Sequence, residues 1–353
     1  MTNPIKTFLI LTLAIGTTIT LLSYHWLLAW IGLEINTLAM IPLMSMTHHP
    51  RAYEAAVKYF LTQMAASALL LFSALASTWL FGEWTILTTR PLTSIPLSIA
   101  LAMKLGMAPL HFWLPEVAQG LPLITGLIIM TWQKIAPMVL LIQISQSTNL
   151  FLMTTLGLTS ILIGGWGGIN QTQLRKLMAF SSISHLGWMA IILKFSPQLT
   201  MFNFVLYIIL TSTFFIFLIT HNTTKLSQLP TTWPKTPIYA ATSALILLSL
   251  GGLPPLSGFA MKLMPCLELI KQNSLIMATL TLMFSLLPLY FYIRLLYALA
   301  TTMSPFTSSP PTIWRSTTKP LGLTMLNMFS LLLLPATPAI LTAISNLPIM
   351  NTS

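Results

Sequence analysis

From Pro4 to Asn346 the chain is a succession of apolar stretches separated by short polar or Pro/Gly breaks. A helix that crosses a bilayer needs roughly 20 apolar residues, because the hydrocarbon core is about 30 Å thick and a helix rises about 1.5 Å per residue. Marking the stretches and breaks predicts eleven spans: 4–22, 25–46, 52–80, 95–113, 121–143, 149–169, 173–194, 198–221, 237–272, 274–300 and 321–346. Thr, Ser and Asn inside them are tolerated, because a helix satisfies its own backbone. A β-barrel is excluded, since the runs are continuous and do not alternate. The predicted fold class is all-α, a polytopic membrane protein, with residues 1–353 forming a single transmembrane domain. The connections Phe81–Ser94, His221–Thr236 and Thr301–Pro320 are too short to fold alone.

Composition points the same way. Only 6% of residues are charged and 55% are hydrophobic, against roughly 25% charged in soluble domains. That excludes a soluble globular protein and also disorder, which needs low hydrophobicity and high charge. Cys266 is the only cysteine, so there is no disulfide framework. The net charge of +11 comes from 16 Lys and Arg against Glu34, Glu54, Glu83, Glu116 and Glu268, with no Asp. The cations are dispersed and form no basic stripe, so no nucleic-acid partner is implied. Residues Ile5 to Leu22 lack a cleavage site and a strongly basic start, and read as a span rather than a leader. Excess Lys and Arg mark loops on the synthesis side. Lys6, Arg51, Lys58, Arg175, Lys176, Lys225, Lys235, Arg315 and Lys319 fall on the N-terminal side, and Arg90, Lys194 and Lys271 on the other. The bias predicts the amino terminus on the synthesis side and, after eleven spans, the carboxy terminus opposite.

Two spans are predicted to be broken. The stretch 237–272 is too long for one straight crossing and contains Gly251-Gly252-Leu253-Pro254-Pro255. Its prolines donate no N–H, which leaves the carbonyls of Leu250 and Gly251 without helical partners. Pro137 likewise frees the carbonyl of Gln133 in 121–143.

The informative charges inside spans are Glu34, Lys104, Lys134 beside the Pro137 break, and Lys262 after the Gly-Gly-Leu-Pro-Pro break. A charge at bilayer depth costs roughly 2.5–3.5 kcal/mol, so these groups must face protein, water or one another. A structural ion pair accounts for Glu34 with one lysine and leaves two cations unexplained. Burial favours the neutral amine, which suits a group that takes up and hands on a proton. His111 lies seven residues after Lys104, on the same face if the helix continues past Pro109, and His185 lies in the polar patch Ser181-Ser182-Ile183-Ser184-His185. Imidazole relays protons near neutral pH, although either histidine could equally be a hydrogen-bonded core residue.

Other features have plainer roles. Glu54 and Lys58 form an i, i+4 pair at a span start, and Arg175 and Lys176 anchor an interface. Arg294, among Tyr290, Tyr292 and Tyr297, snorkels or packs. His48 and His49 lack further ligands at metal spacing, and Cys266 reads as inert. Gly164-Gly165-Trp166-Gly167-Gly168 fits close helix packing rather than a phosphate loop.

Lys104 in the fourth span and Lys262 in the ninth are five spans apart, which makes spans two to five and seven to ten candidate related halves. Interrupted spans in a repeated frame point to ion coupling near the midplane. The residues thus predict ion translocation without redox chemistry. A stand-alone cation/proton antiporter and a structural membrane subunit with braced charges are the alternatives.

Six segments carry a resemblance: Gly32-Leu33-Glu34, Glu54-Ala55-Ala56-Val57-Lys58-Tyr59-Phe60, Met103-Lys104-Leu105-Gly106 through to Pro115-Glu116, Thr131-Trp132-Gln133-Lys134, Asn170-Gln171-Thr172-Gln173-Leu174-Arg175-Lys176, and Gly251-Gly252-Leu253-Pro254-Pro255-Leu256-Ser257-Gly258-Phe259. In these the chain resembles the mitochondrial NADH dehydrogenase subunit 2 family, the antiporter-like, proton-pumping subunits of respiratory complex I. The resemblance implies two inverted five-helix repeats with broken helices, the halves roughly 4–143 and 149–300, plus a last helix at 321–346. It implies that Glu34 modulates Lys104, that Lys134 connects the halves, that Lys262 ends the other half-channel, and that His111 and His185 link them. It implies a subunit of the proton-translocating NADH:ubiquinone reductase with no redox centre or metal of its own. NADH, FMN, iron–sulfur clusters and ubiquinone would sit in other subunits. The implied partners are other membrane-arm subunits (NADH dehydrogenase subunits 4L and 4), accessory subunits and lipids such as cardiolipin. The implied location is the mitochondrial inner membrane, with the amino terminus facing the matrix and the carboxy terminus the intermembrane space. Ala260-Met261-Lys262-Leu263 departs from the family's frequent Leu-Pro-Lys-Trp and predicts a different local kink around a retained lysine.

Overall fold

The computed structural model describes residues 3–254 and 256–301, together with 327, 335, 337, 339 and 342. The predicted span 321–346 and the connection Thr301–Pro320 therefore lie almost wholly outside the described residues. The described chain is helical: α1 Asn3–Leu22, α2 Trp26–Ser45, α3 Pro50–Phe81, α4 Pro91–Leu105, α5 Trp113–Gly120, α6 Leu123–Met130, α7 Ile135–Gln143, α8 Leu150–Ile169, α9 Leu174–Ile192, α10 Pro197–His221, α11 Pro237–Gly251, α12 Ala260–Lys271 and α13 Leu275–Ala300. Seven segments among the described residues are long and apolar enough to cross a membrane; α4 and α11 are shorter apolar helices. The chain divides into two compact units, Met1–Ser160 and Ile161–Ser353.

Within each unit the chain pairs its connections in the same way. In the first, the α1–α2 connection meets the α3–α4 connection through Trp26 N–H to Trp84 C=O (3.1 Å) and Ile86 N–H to Tyr24 C=O (3.1 Å). In the second, the α8–α9 connection meets the α10–α11 connection through Leu174 N–H to Thr224 C=O (3.0 Å) and Leu226 N–H to Thr172 C=O (3.0 Å). These short antiparallel bridges satisfy backbone groups that leave the helices and have no helical partner.

Both predicted breaks are present. The stretch 121–143 is α6, a 3₁₀ turn at Trp132–Lys134, and α7, with Pro137 in the first turn of α7, where a missing N–H is tolerated. The stretch 237–272 is α11, a 3₁₀ turn at Ser257–Phe259, and α12.

The span 95–113 needs correction. It is not one helix: α4 starts earlier, at Pro91, and ends at Leu105, and the chain turns before α5. Gly106 adopts φ +77°, a left-handed conformation that glycine takes without steric penalty. Its N–H reaches Met103 C=O (3.1 Å), and Met107 N–H reaches Ala102 C=O (2.9 Å), which closes the helix in a Schellman motif. The end of α11 repeats this pattern: Gly252 has φ +76°, its N–H reaches Ser249 C=O (2.8 Å), and Leu253 N–H reaches Leu248 C=O (3.2 Å). Both helices also begin with proline at the first helical position.

The glycine cluster of α8 packs closely, as its spacing implies. A Cβ on Gly164 would fall 2.8 Å from Ser184 N and one on Gly167 2.3 Å from the Phe180 ring, so this side lies on α9. A Cβ on Gly165 would fall 2.7 Å from Pro288 Cδ and one on Gly168 2.7 Å from the Phe291 ring, so the adjacent side lies on α13. Arg294 donates to the carbonyl of Ile169, the last residue of α8, and so caps that helix. Gly167→Val is expected to force α8 away from α9 and destabilise the protein by about 1–3 kcal/mol, as overpacking does. Trp166→Val, at a site 71% exposed, is expected to change the stability much less. Thermal melting of the assembled protein in membranes checks both.

Candidate proton-handling sites

In the first unit, Glu34 lies midway along α2 and Lys104 in the last turn of α4. Lys104 is 5% exposed. Glu34 lies close enough for its charge to act on Lys104 and on Tyr59. The two do not form a contact ion pair: among the described residues, ion pairs join Lys58 to Glu54, Lys58 to Glu116 and Lys271 to Glu268. Lys104 Nζ and Glu34 Oε2 are buried without a protein hydrogen-bond partner among the described residues. A long-range charge coupling left open in this way differs from a closed brace, in which opposite charges touch and satisfy one another.

The break after Lys104 is held from α3. Gln63 Nε2 donates to Lys104 C=O (3.4 Å), and Trp113 Nε1, at the start of α5, donates to Met103 C=O (3.2 Å). Gln63 thus serves a carbonyl at the helix end, where helical donors run out, and Trp113 adds a second donor to the Met103 carbonyl that Gly106 N–H already reaches. Tyr59 meets the Trp113 ring edge-on, with centroids 5.8 Å apart. Next to Tyr59 in sequence, Lys58 Nζ lies 2.7 Å from Glu54 and 2.7 Å from Glu116 of α5. The predicted Glu54–Lys58 pair is present, and Glu116 extends it into a link between α3 and α5.

His111 is 4% exposed and occupies the turn between α4 and α5, with Nδ1 3.3 Å from Pro109 C=O and its ring 4.4 Å from that of Phe112. The expectation that it shares a helical face with Lys104 fails, because Gly106 ends the helix. Lys134, 2% exposed, closes the 3₁₀ turn between α6 and α7. Beside it, Gln133 Nε2 is buried without a partner among the described residues.

In the second unit, Lys262 lies in the first turn of α12. Its Nζ donates to Gly251 C=O at 2.6 Å, a carbonyl that Pro255 cannot serve. The cation thus sits at the negative end of α11. Its stem crosses Gly252 so closely that a Cβ there would fall 2.7 Å from Lys262 Cδ. Pro265 lies inside α12, one turn beyond the lysine. His185 lies on α9, a helix buried along most of its length, with Nε2 3.2 Å from Tyr292 Oη of α13 and its ring 5.8 Å from that of Tyr207.

Each unit therefore brings a lysine to the end of a short, glycine-terminated helix, but from opposite directions. Lys104 belongs to the half-helix before the break and Lys262 to the one after it. Gln63, Trp113, Glu116 and Tyr292 are absent from the residues picked out by charge alone. Gln63 was visible as an amide in an apolar stretch, whereas the others take part through contacts distant in sequence. Among the described residues no group of three or more His, Cys, Asp or Glu could hold a metal ion.

Short broken helices carrying buried or half-buried lysines in each of two units define an antiporter-like membrane protein. The family model described as NADH:quinone oxidoreductase/Mrp antiporter, transmembrane region, matches residues 23–288, and NADH dehydrogenase subunit 2 C-terminus matches 289–341. NADH-ubiquinone oxidoreductase chain 2 of Aquarana catesbeiana is 60% identical over 341 residues, covering 96% of this chain and 99% of that relative. The chain 2 of Xenopus laevis is 57% identical over 344 residues, covering 96% and 100%. A chain of respiratory complex I from Thermus thermophilus, solved with bound aureothin, superposes with TM-score 0.84 at 27% identity, covering 95% of this chain and 79% of that one. A chain of the Mrp complex from Dietzia superposes with TM-score 0.84 at 18% identity, covering 96% and 77%, and shares the fold. The chain belongs to the NADH:quinone oxidoreductase/Mrp antiporter family, in the branch formed by NADH-ubiquinone oxidoreductase chain 2. The resemblance carried by the sequence motifs is borne out.

Gly252→Ala is expected to displace Lys262 from the Gly251 carbonyl as well as to strain the left-handed backbone by about 1–2 kcal/mol. Gly82→Ala is the matched control, because Gly82 has φ +74° with nothing within 4 Å of a new Cβ. In the assembled complex only Gly252→Ala is expected to lower proton translocation per NADH oxidised, while both variants lower thermal stability.

Proposed function

We propose that the chain is the second membrane subunit of a mitochondrial NADH-ubiquinone oxidoreductase, and that its buried ionisable residues carry protons across the inner membrane. Electron transfer in other subunits drives the movement; NADH, FMN, iron–sulfur clusters and ubiquinone bind there. Glu34 gates Lys104; Lys134 and Lys262 carry the proton onward, with His111 and His185 as intermediate groups. The observation that carries this reading is the open relation between Glu34 and Lys104: Glu34 Oε2 and Lys104 Nζ are both buried, with no ion pair between them and no hydrogen bond from the described residues. Two unit charges about 4 Å apart interact by about 4 kcal/mol at an effective dielectric near 20, so a small approach or retreat of Glu34 is enough to load or release a proton.

The neighbours proposed for this subunit are the membrane-arm subunits 4L and 4 of the same enzyme, accessory subunits, and lipids such as cardiolipin. The charge bias of the connections supports an amino terminus facing the matrix and a carboxy terminus facing the intermembrane space. Five carboxylates in the whole chain, and no Asp, offer few oxygen ligands for a hydrated sodium ion, which counts against a free-standing antiporter.

Lys134→Ala in the assembled complex is expected to lower the protons translocated per NADH oxidised while the complex still forms and oxidises NADH. An unchanged ratio would remove Lys134 from the path. Lys104→Ala is expected to lower the ratio in the same way. A variant that blocked assembly, yet pumped normally in the complexes that did form, would instead assign Lys104 a bracing role. Proton pumping by reconstituted complexes, measured against NADH oxidation, distinguishes these outcomes.

A further inference from the structure

The register of α13 is fixed against α8 by contacts at three successive turns: Pro288 on Gly165, Phe291 on Gly168, and Arg294 on the carbonyl of Ile169. Tyr292, one residue beyond Phe291, is thereby held at a set height in the unit, where it is 2% exposed. Its hydroxyl lies 3.2 Å from His185 Nε2. Its other flank lies along the helix break, where a Cβ on Gly251 would come 3.8 Å from Tyr292 Cβ. The carbonyl of Gly251 is the group that Lys262 Nζ holds at 2.6 Å. One side chain therefore bonds the buried histidine on one flank and, on the other, lies beside the glycine whose carbonyl holds the half-buried Lys262.

We propose that Tyr292 is a positioning residue for proton transfer between His185 and Lys262. The inference rests on the proton-carrying role given to those two residues above. A phenol both donates and accepts, so it can hold the imidazole with either ring nitrogen protonated. The ring keeps that imidazole at a fixed distance from the α11–α12 break. No bond is made or broken at Tyr292 in this role. His185 takes and releases the proton, and the hydroxyl sets where its Nε2 points.

The test uses the assembled complex in proteoliposomes, with protons translocated per NADH oxidised as the readout. Tyr292→Phe keeps the packed ring and removes the hydroxyl. It is expected to reproduce at least half of the loss caused by His185→Ala, with the NADH oxidation rate preserved. Because Tyr292 acts through His185, the double variant is expected to be no worse than His185→Ala alone, a result that a purely structural role would not give. Tyr290→Phe, altered at a 55% exposed position on the same helix, serves as the unaffected control. Full pumping by Tyr292→Phe alongside losses in His185→Ala and Lys262→Ala would overturn the positioning role alone. Additive losses in the double variant would overturn it as well. Full pumping by His185→Ala and Lys262→Ala would overturn the proton-path reading together with this inference.

Discussion

A charge or a bare carbonyl inside a bilayer has no water to fall back on, so the protein must supply its partner. Nearly every local feature of this chain follows from that constraint. Where Pro254 and Pro255 withhold N–H groups, Lys262 donates to the freed carbonyl of Gly251. Where α4 stops at Leu105, Gln63 and Trp113 donate to the last carbonyls. Where α8 stops, Arg294 does so. The bridges between connections serve the remaining backbone at the ends of the spans. Lys104 Nζ and Glu34 Oε2 are among the buried side-chain groups to which the described residues give no hydrogen bond, and they are the two in that set from the lysines and glutamates.

The broken helices give the lysines their places. A helix that ends inside the protein exposes a negative end and a few unserved carbonyls, and both favour a cation. Continuous helices would have hidden every carbonyl and left the lysines with only one another. The two units reach the arrangement by different routes, Lys104 from within the terminating half-helix and Lys262 from the half-helix that follows. A repeated backbone can thus carry chemically unequal sites. Lys262 is engaged with a carbonyl, while Lys104 Nζ is given no hydrogen bond by the described residues.

Much of this was legible in the sequence because membrane constraints are strict. Runs of apolar residues place the helices within a few residues, and Gly-Gly-Leu-Pro-Pro marks the α11 break through donors that proline cannot supply. The α4 break was missed because a single Gly106 before Met107 and Ala108 looks like an ordinary apolar stretch; only its left-handed φ reveals the Schellman ending. The misplacement of His111 follows from that miss, since face arguments hold only while the helix continues. Glu34, Lys104, Lys134 and Lys262 were findable because charge is rare here. Glu116 and Tyr292 were not, because what singles them out is a partner 58 or 107 residues away. No local pattern records such a partner.

The central claim is that Glu34 and Lys104 form an open, proton-accepting pair rather than a closed brace. Electron cryo-microscopy of the assembled complex, at a resolution that shows ordered water, tests it most directly. The account predicts water hydrogen-bonded to Lys104 Nζ and to Glu34 Oε2, with the two side chains still out of contact. A dry, direct ion pair between them, with no water on either group, would contradict it.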